Sequence, residues 1–210
     1  MDKFIIKGGR RLNGRVKVGG AKNATLPIMA ASLLSEGEVH LTGLPDVTDV
    51  STLASLLREL GVETSRHGDS MKLKVISEEN SHARYDLVRK MRASICVLGP
   101  LLARRGFARV AMPGGCAIGP RPINIHLRGM EALGAKIDLE SGDIIASAKR
   151  LKGTEIFLGG PFGSTVTGTA NVMMAATLAE GKTVIESAAC EPEIQDLADF
   201  LNKMLSLIHI

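Results

Sequence analysis

The chain has 210 residues, of which 45% are hydrophobic, so it can bury a sizeable core as one large domain or two small ones. Aromatic residues make up only 3%, there is no tryptophan, and a net charge of +4 is dispersed along the chain. This composition disfavours a nucleic-acid surface, which needs exposed aromatics and clustered basic residues. No stretch reaches the apolar length of a membrane span. We therefore expect a cytoplasmic protein without a nucleic-acid or membrane partner.

The cysteines and histidines give no sign of a metal or a redox pair. Cys96, Cys116 and Cys190 stand at unrelated spacings, with no Cys-x-x-Cys, and the five histidines share no ligand spacing. We expect reduced thiols, no metal and no cofactor.

The first third of the chain predicts two helices, two short strands and a hairpin. Val50, Leu53 and Leu57 recur every three or four residues and so mark one face of a helix, which Gly61 ends. The predicted elements are a strand over 15–18, a helix over 21–34, a strand over 39–41, a helix over 50–60 and a hairpin turning at 67–69.

The same order of elements returns twice. The glycines that follow the first helix of each unit, Gly37, Gly106 and Gly181, stand about 70 residues apart. The second unit is predicted as a helix over 92–105, a strand over 108–112, a helix over 123–133 and a hairpin turning at 141–143. The third unit is predicted as a helix over 169–180, a strand over 183–186 and a helix over 194–204.

This period predicts an α/β fold of three repeated units of two helices and a sheet. No unit can bury its apolar helix faces alone, so we expect a common helical core with the sheets outside. The third unit lacks a closing glycine and a hairpin, and residues 205–210 match nothing upstream. We hypothesise that the chain is incomplete.

A loop within residues 112–126 is the best candidate for chemistry. It holds Cys116 among several glycines and prolines, with Arg121 and His126 close by. Glycine allows the backbone to approach a ligand and proline stiffens the loop, while nearby cations lower the pKa of a thiol. A reactive thiol facing an anion and an inert semi-buried cysteine are both open readings of this loop.

Several segments, taken in order, resemble the UDP-N-acetylglucosamine 1-carboxyvinyltransferases, which are enolpyruvyl transferases. The matching segments are 19–24, 91–94, 113–119, 121–122, 175–181 and 191–194. The resemblance covers residues 3 to 204 and implies the first domain of a two-domain protein, each domain being an inside-out α/β barrel (prism-like) of three repeated units. It implies that residues 1–20 are strands joined to a second domain, that 21–204 form domain 1, and that 205–210 lie outside the family pattern.

The resemblance also implies a reaction. The enolpyruvyl group of phosphoenolpyruvate passes to the 3′-hydroxyl of UDP-N-acetylglucosamine with release of phosphate, by addition and elimination, as the first committed step of peptidoglycan synthesis. No metal or organic cofactor is implied. The partners are the two small-molecule substrates, and the oligomeric state is not readable from the sequence.

The resemblance assigns roles residue by residue. Cys116 is implied as the general acid that protonates the methylene carbon of phosphoenolpyruvate. Contacts to phosphoenolpyruvate are implied for Lys22, Asn23 and Arg121. Contacts to UDP-N-acetylglucosamine are implied for Arg92, Arg121, Pro122, Ile123, Asn124, Ile125, His126, Ser164 and Thr165. For Asn23 a helix N-cap is a competing role, and for His126 a purely structural one.

Two other functions stay open. The enolpyruvyl transferase of the shikimate pathway has the same fold and donor but lacks the Pro-Gly-Gly-Cys loop around Cys116. A non-catalytic half-domain that binds the nucleotide sugar is the second, because the family's acid–base aspartates and further arginines come from the second domain. We therefore predict little or no turnover by these 210 residues.

Overall fold

The computed structural model describes residues 3–113, 123–161, 163–204 and 208. Helices and strands alternate along the chain, which confirms the predicted α/β class. The α-helices are α1 (Lys22–Ala31), α2 (Thr48–Glu59), α3 (Tyr85–Val88), α4 (Leu98–Arg105), α5 (Asn124–Ala132), α6 (Val166–Ala176) and α7 (Pro192–Lys203). Two 3₁₀ helices extend this set, at Ser32–Leu34 after α1 and at Arg92–Val97 before α4.

The strands form three separate sheets, one for each repeated unit. They are β1 (Val39–Leu41), β2 (Val62–His67), β3 (Ser70–Val75), β4 (His82–Ala83), β5 (Phe107–Ala111), β6 (Lys136–Glu140), β7 (Asp143–Ser147), β8 (Glu155–Phe157) and β9 (Val184–Glu186). The sheet orders are β1-β3-β2, β4-β5-β7-β6 and β8-β9. Among the described residues these strands close no barrel, so the inside-out barrel stays a prediction while the threefold repetition is observed.

The two predicted hairpins form as expected. β2 and β3 pair antiparallel with His67 opposite Ser70, and β6 and β7 pair with Glu140 opposite Asp143. In the first two units the hairpin lies beside the strand that follows the first helix, since β3 pairs with β1 and β7 with β5. The sequence-based reading missed the short strands β4 and β8, which pair parallel with β5 and β9. Runs of two or three residues carry too little periodicity to be read as strands.

The helices make up the centre of the molecule. Every residue of α6 from Gly168 to Ala175 is buried, because its small and apolar side chains surround the helix. α6 packs against α1, α4, α5 and α7, and so joins helices of all three units. α2 instead buries one face, with Val50, Leu53 and Leu57 inside. No helix in the described part of the chain is long and apolar enough to cross a membrane.

Two predicted boundaries differ from the structure. Residues 15–18 form no strand in the described structure and pair with no described strand, and Val16 and Val18 are about nine-tenths exposed; their joining a second domain stays a prediction. Alternation alone does not make a strand, because a strand requires a partner for its backbone groups. α6 begins at Val166 rather than at residue 169, because Thr165 caps its first turn.

The end of the third unit shows no hairpin in the residues described. After α7 the structure describes only Met204 and Ile208, and Ile208 exchanges two backbone hydrogen bonds with the side chain of Asn202, at 2.7 and 3.0 Å. The boundaries at residues 20 and 204 and the incomplete third unit stay predictions.

Candidate functional site

One pocket of about 820 Å³ lies where the first turns of helices from all three units meet. Eight residues that the sequence analysis singled out line it: Lys22, Asn23, Arg92, Asn124, Ile125, His126, Ser164 and Thr165. Lys22 and Asn23 begin α1, Arg92 begins the second 3₁₀ helix, and residues 124–126 begin α5. The tertiary structure therefore brings together residues separated by more than 100 positions in the chain.

The direction of these helices matters for the chemistry of the pocket. α1, α2, α5, α6 and α7 all contribute residues of their first turn or N-cap to the lining. The N-terminus of a helix carries partial positive charge and backbone N–H groups without an intrahelical acceptor. A pocket surrounded by such ends favours an anionic ligand.

The charged side chains of the lining are also compatible with an anionic ligand. Among the described lining residues, Lys22, Lys90 and Arg92 are cationic, while Asp49 and Glu193 are acidic. Lys22 Nζ lies 2.9 Å from Asp49 Oδ2, and the two side chains are 47% and 33% exposed. Ion pairs this exposed contribute about 0–1 kcal/mol. An anionic ligand can therefore compete with Asp49 for the lysine.

His126 occupies the inner wall of the pocket. It is only 1% exposed, and burial, with the charge of Arg92 as a second cause, lowers the pKa of His126 to about 4. Its Nε2 lies 3.2 Å from Thr167 Oγ1 and its Nδ1 lies 3.2 Å from Asn171 Nδ2. The imidazole is thus neutral at physiological pH and bonded on both sides, so His126 has a structural role as well as a place in the lining.

The loop before α6 is held by its own cap. Thr165 Oγ1 accepts a hydrogen bond from Gly168 N–H at 3.2 Å, which satisfies one of the free donors of the first turn. A Cβ on Gly168 would lie 2.3 Å from Thr165 Cγ2, so the cap requires glycine at that position. This local packing holds Thr165 in the lining of the pocket, next to Ser164.

Of the four other predicted site residues, the structure describes only Ile123. Ile123 is buried and does not line the pocket. Cys116, Arg121 and Pro122 lie outside the described residues. The alternative N-cap role of Asn23 is wrong, because Ala21 is the N-cap of α1 and Asn23 is the second residue of the helix.

Several lining residues were missed by the sequence analysis. They are Asp49, Lys90, Thr167 and Glu193. Asp49 and Glu193 stand in the first turns of α2 and α7, where a carboxylate is already explained by the helix dipole, so their sequence context gave no reason to assign a ligand. Thr167 lies two residues after Thr165, and extending the predicted segment 164–165 by two residues would have included it.

The two described cysteines differ in reactivity. Cys96 lines the pocket, but burial raises the pKa of its thiol to about 12, so the thiol stays protonated and is a poor nucleophile. Cys190 is exposed. Within the described ranges, no three His, Cys, Asp or Glu side chains are grouped closely enough to hold a metal ion.

The protein-family model described as EPSP synthase (3-phosphoshikimate 1-carboxyvinyltransferase) matches residues 6–209. The chain is 54% identical over 204 residues to UDP-N-acetylglucosamine 1-carboxyvinyltransferase 2 of Carboxydothermus hydrogenoformans, covering 97% of this chain and 48% of that protein. It is 55% identical over 206 residues to UDP-N-acetylglucosamine 1-carboxyvinyltransferase of Coxiella burnetii, covering 97% and 47%. These relatives confirm the resemblance, and the chain spans about half of their length.

Solved structures agree on the fold. The enolpyruvyl transferase NikO of Streptomyces tendae superposes with a TM-score of 0.82 at 21% identity, covering 97% of this chain and 47% of that one. EPSP synthase of Acinetobacter baumannii superposes with a TM-score of 0.68 at 18% identity, covering 87% and 42%. With a family match over nearly the whole chain and a shared fold, this protein belongs to the EPSP synthase family of carboxyvinyltransferases.

Proposed function

We propose that this chain forms one wall of a site that transfers the enolpyruvyl group of phosphoenolpyruvate to the 3′-hydroxyl of UDP-N-acetylglucosamine, with release of phosphate. The observation that carries the proposal is that eight residues assigned to substrate contacts by the family resemblance line one pocket, together with helix N-termini. Both substrates are anionic, which suits those helix ends and the cations Lys22 and Arg92. The names of the relatives support the choice of substrates.

In the proposed reaction the oxygen of the 3′-hydroxyl bonds to C2 of phosphoenolpyruvate and gives its proton to a general base, while another proton is delivered to C3. Loss of phosphate and of a proton from C3 then restores the double bond. Cys116 is the proposed proton donor to C3, and Lys22, Asn23 and Arg121 are the proposed contacts to phosphoenolpyruvate. Arg92, the segment 121–126, Ser164 and Thr165 are the proposed contacts to the nucleotide sugar. The step belongs to peptidoglycan synthesis in the cytoplasm under this proposal.

Binding by the isolated chain tests the proposal directly. Calorimetric titration with UDP-N-acetylglucosamine should give saturable one-site binding, and titration with 3-phosphoshikimate should not. The reverse preference would support the shikimate-pathway alternative, which the 54–55% identity to relatives named for UDP-N-acetylglucosamine disfavours. Binding of neither ligand would refute the proposed site.

A charge-removing variant makes the test specific. Lys22→Met should weaken binding of phosphoenolpyruvate by about tenfold, because one charge-assisted hydrogen bond is lost. Lys72→Met is the matched control, since Lys72 is also an exposed lysine in an ion pair, with Glu38 at 3.1 Å. Equal losses of affinity for phosphoenolpyruvate in the two variants would show that binding depends on net charge alone and would contradict a direct contact with Lys22.

Measuring turnover as well as binding distinguishes an active enolpyruvyl transferase from a non-catalytic half-domain that only binds the nucleotide sugar. The chain spans about half of its relatives, so we expect phosphate release near background even with both substrates present. Rates typical of a complete enzyme would refute this expectation.

Covalent labelling tests the assignment of the thiol. A phosphonate epoxide that mimics phosphoenolpyruvate should alkylate Cys116 before Cys96 or Cys190. Equal labelling of all three thiols would contradict the role given to Cys116.

A further inference from the structure

The amide of Asn171, in the middle of α6, is a fully buried polar group near the pocket. It is 0% exposed, and a buried amide must find hydrogen-bond partners. Asn171 Oδ1 accepts from Gly99 N–H at 2.6 Å, and Asn171 Nδ2 donates to the carbonyl oxygen of Ile95 at 2.9 Å. The N–H of Gly99 requires an oxygen opposite it and the carbonyl of Ile95 requires a nitrogen, so only one orientation of the amide satisfies both. In this orientation the amide nitrogen faces His126.

That orientation determines the protonation of His126. Asn171 Nδ2 lies 3.2 Å from His126 Nδ1, and an amide nitrogen can only donate, so Nδ1 must be the acceptor. The imidazole is neutral, because burial lowers the pKa of His126 to about 4. A neutral imidazole with a bare Nδ1 carries its proton on Nε2.

The proton on Nε2 in turn fixes the hydroxyl of Thr167. His126 Nε2 lies 3.2 Å from Thr167 Oγ1, so the hydroxyl accepts from the imidazole and keeps its own proton. In the part of the chain that the structure describes, that proton has no protein acceptor. Thr167 is half-buried and lines the pocket. Its hydroxyl is therefore a donor available to a ligand.

We propose that Thr167 donates a hydrogen bond to an anionic oxygen of the bound nucleotide sugar, and that Asn171 and His126 are positioning residues that make the hydroxyl a donor. The inference rests on the proposed function for the identity of the ligand. A phosphate oxygen is the acceptor that this environment favours, because Thr167 lies in the first turn of the eleven-residue α6 and Arg92 lines the same pocket.

The polarity of this chain of hydrogen bonds can be reversed by one substitution. In Asn171→Asp a carboxylate replaces the donating amide, so His126 must carry its proton on Nδ1. Nε2 then becomes the acceptor, and the hydroxyl of Thr167 turns its proton towards the imidazole. The ligand loses its donor although neither Thr167 nor the lining of the pocket has changed.

The test combines binding with a direct measurement of the tautomer. Titration of the 210-residue chain with UDP-N-acetylglucosamine should show about tenfold weaker binding for Thr167→Val and for Asn171→Asp, the loss expected for one hydrogen bond to a charged group. Thr167→Ser should recover most of the loss. Thr177→Val is the matched control, because its hydroxyl bonds to the carbonyl oxygen of Met174 at 2.8 Å at the other end of α6.

Nitrogen-15 spectra of the histidine rings test the positioning role apart from binding. Wild-type His126 should show the proton on Nε2, and Asn171→Asp should move it to Nδ1. A proton on Nδ1 in the wild type, or wild-type affinity in Thr167→Val, would overturn the inference. If Asn171→Asp does not fold, the inference is tested by the wild-type ring spectrum and by the affinity of Thr167→Val for UDP-N-acetylglucosamine.

Failure of the proposed function would give a different result from failure of this inference. A wild-type chain that binds no UDP-N-acetylglucosamine refutes that function and the contact of Thr167 with this ligand. The wild-type ring spectrum still decides independently whether Asn171 fixes the tautomer of His126.

Discussion

Acid should destabilise this protein through His126 in a defined range of pH. The pKa of His126 in the folded chain is about 4, against an ordinary value of 6.5. Between these values the unfolded chain binds a proton that the folded chain excludes, so stability falls as the pH falls. A difference of about 2.5 pH units at about 1.4 kcal/mol each corresponds to about 3.5 kcal/mol. The contribution is complete above about pH 6.5 and is lost progressively down to about pH 4.

Urea unfolding of the wild type and of His126→Gln, measured across this range, isolates the effect. The variant should be less stable at neutral pH, since it breaks the bonds to Thr167 and Asn171. Between about pH 6.5 and pH 4, its free energy of unfolding should fall by about 3.5 kcal/mol less than that of the wild type. His67→Gln, which removes an exposed imidazole, controls for loss of a histidine. Parallel pH profiles for wild type and His126→Gln would refute the reasoning, as would an NMR titration that gives His126 a pKa near 6.5.

Two further predictions concern packing and thiol reactivity. Gly99→Ala should lower the free energy of unfolding by about 1–3 kcal/mol, because a Cβ would lie 2.2 Å from the backbone oxygen of Asn171. Gly37→Ala should have little effect in the same urea titration, since nothing lies within 4 Å of its Cβ position. A thiol reagent should modify Cys190 in the native protein but Cys96 only after unfolding, because Cys96 is buried. Equal native rates for these two thiols would contradict the burial of Cys96.

The elements that the sequence predicted best are those whose local signals agree with each other. α2 combines a helical apolar face with a terminating glycine, and Gly61 takes the left-handed conformation with a φ of 84°. A Cβ on Gly61 would also lie 2.1 Å from the carbonyl oxygen of Ser77, so the turn requires glycine for two reasons. The 15–18 segment shows the limit of such signals, because its alternation lacks a pairing partner in the described structure.

The sequence by itself determined the α/β class, the repetition of the unit and the residue types suited to an anionic ligand, because periodicity and motifs are local properties. Only the tertiary structure decided that helix N-termini from three units meet at one pocket. It alone also set the protonation of His126, since that depends on Asn171, which lies 45 positions away in the chain. Neither the burial of an imidazole nor the direction of a hydrogen bond can be read from neighbouring residues. Both follow from packing between distant segments, which removes water and leaves each polar group only the partners that the fold supplies.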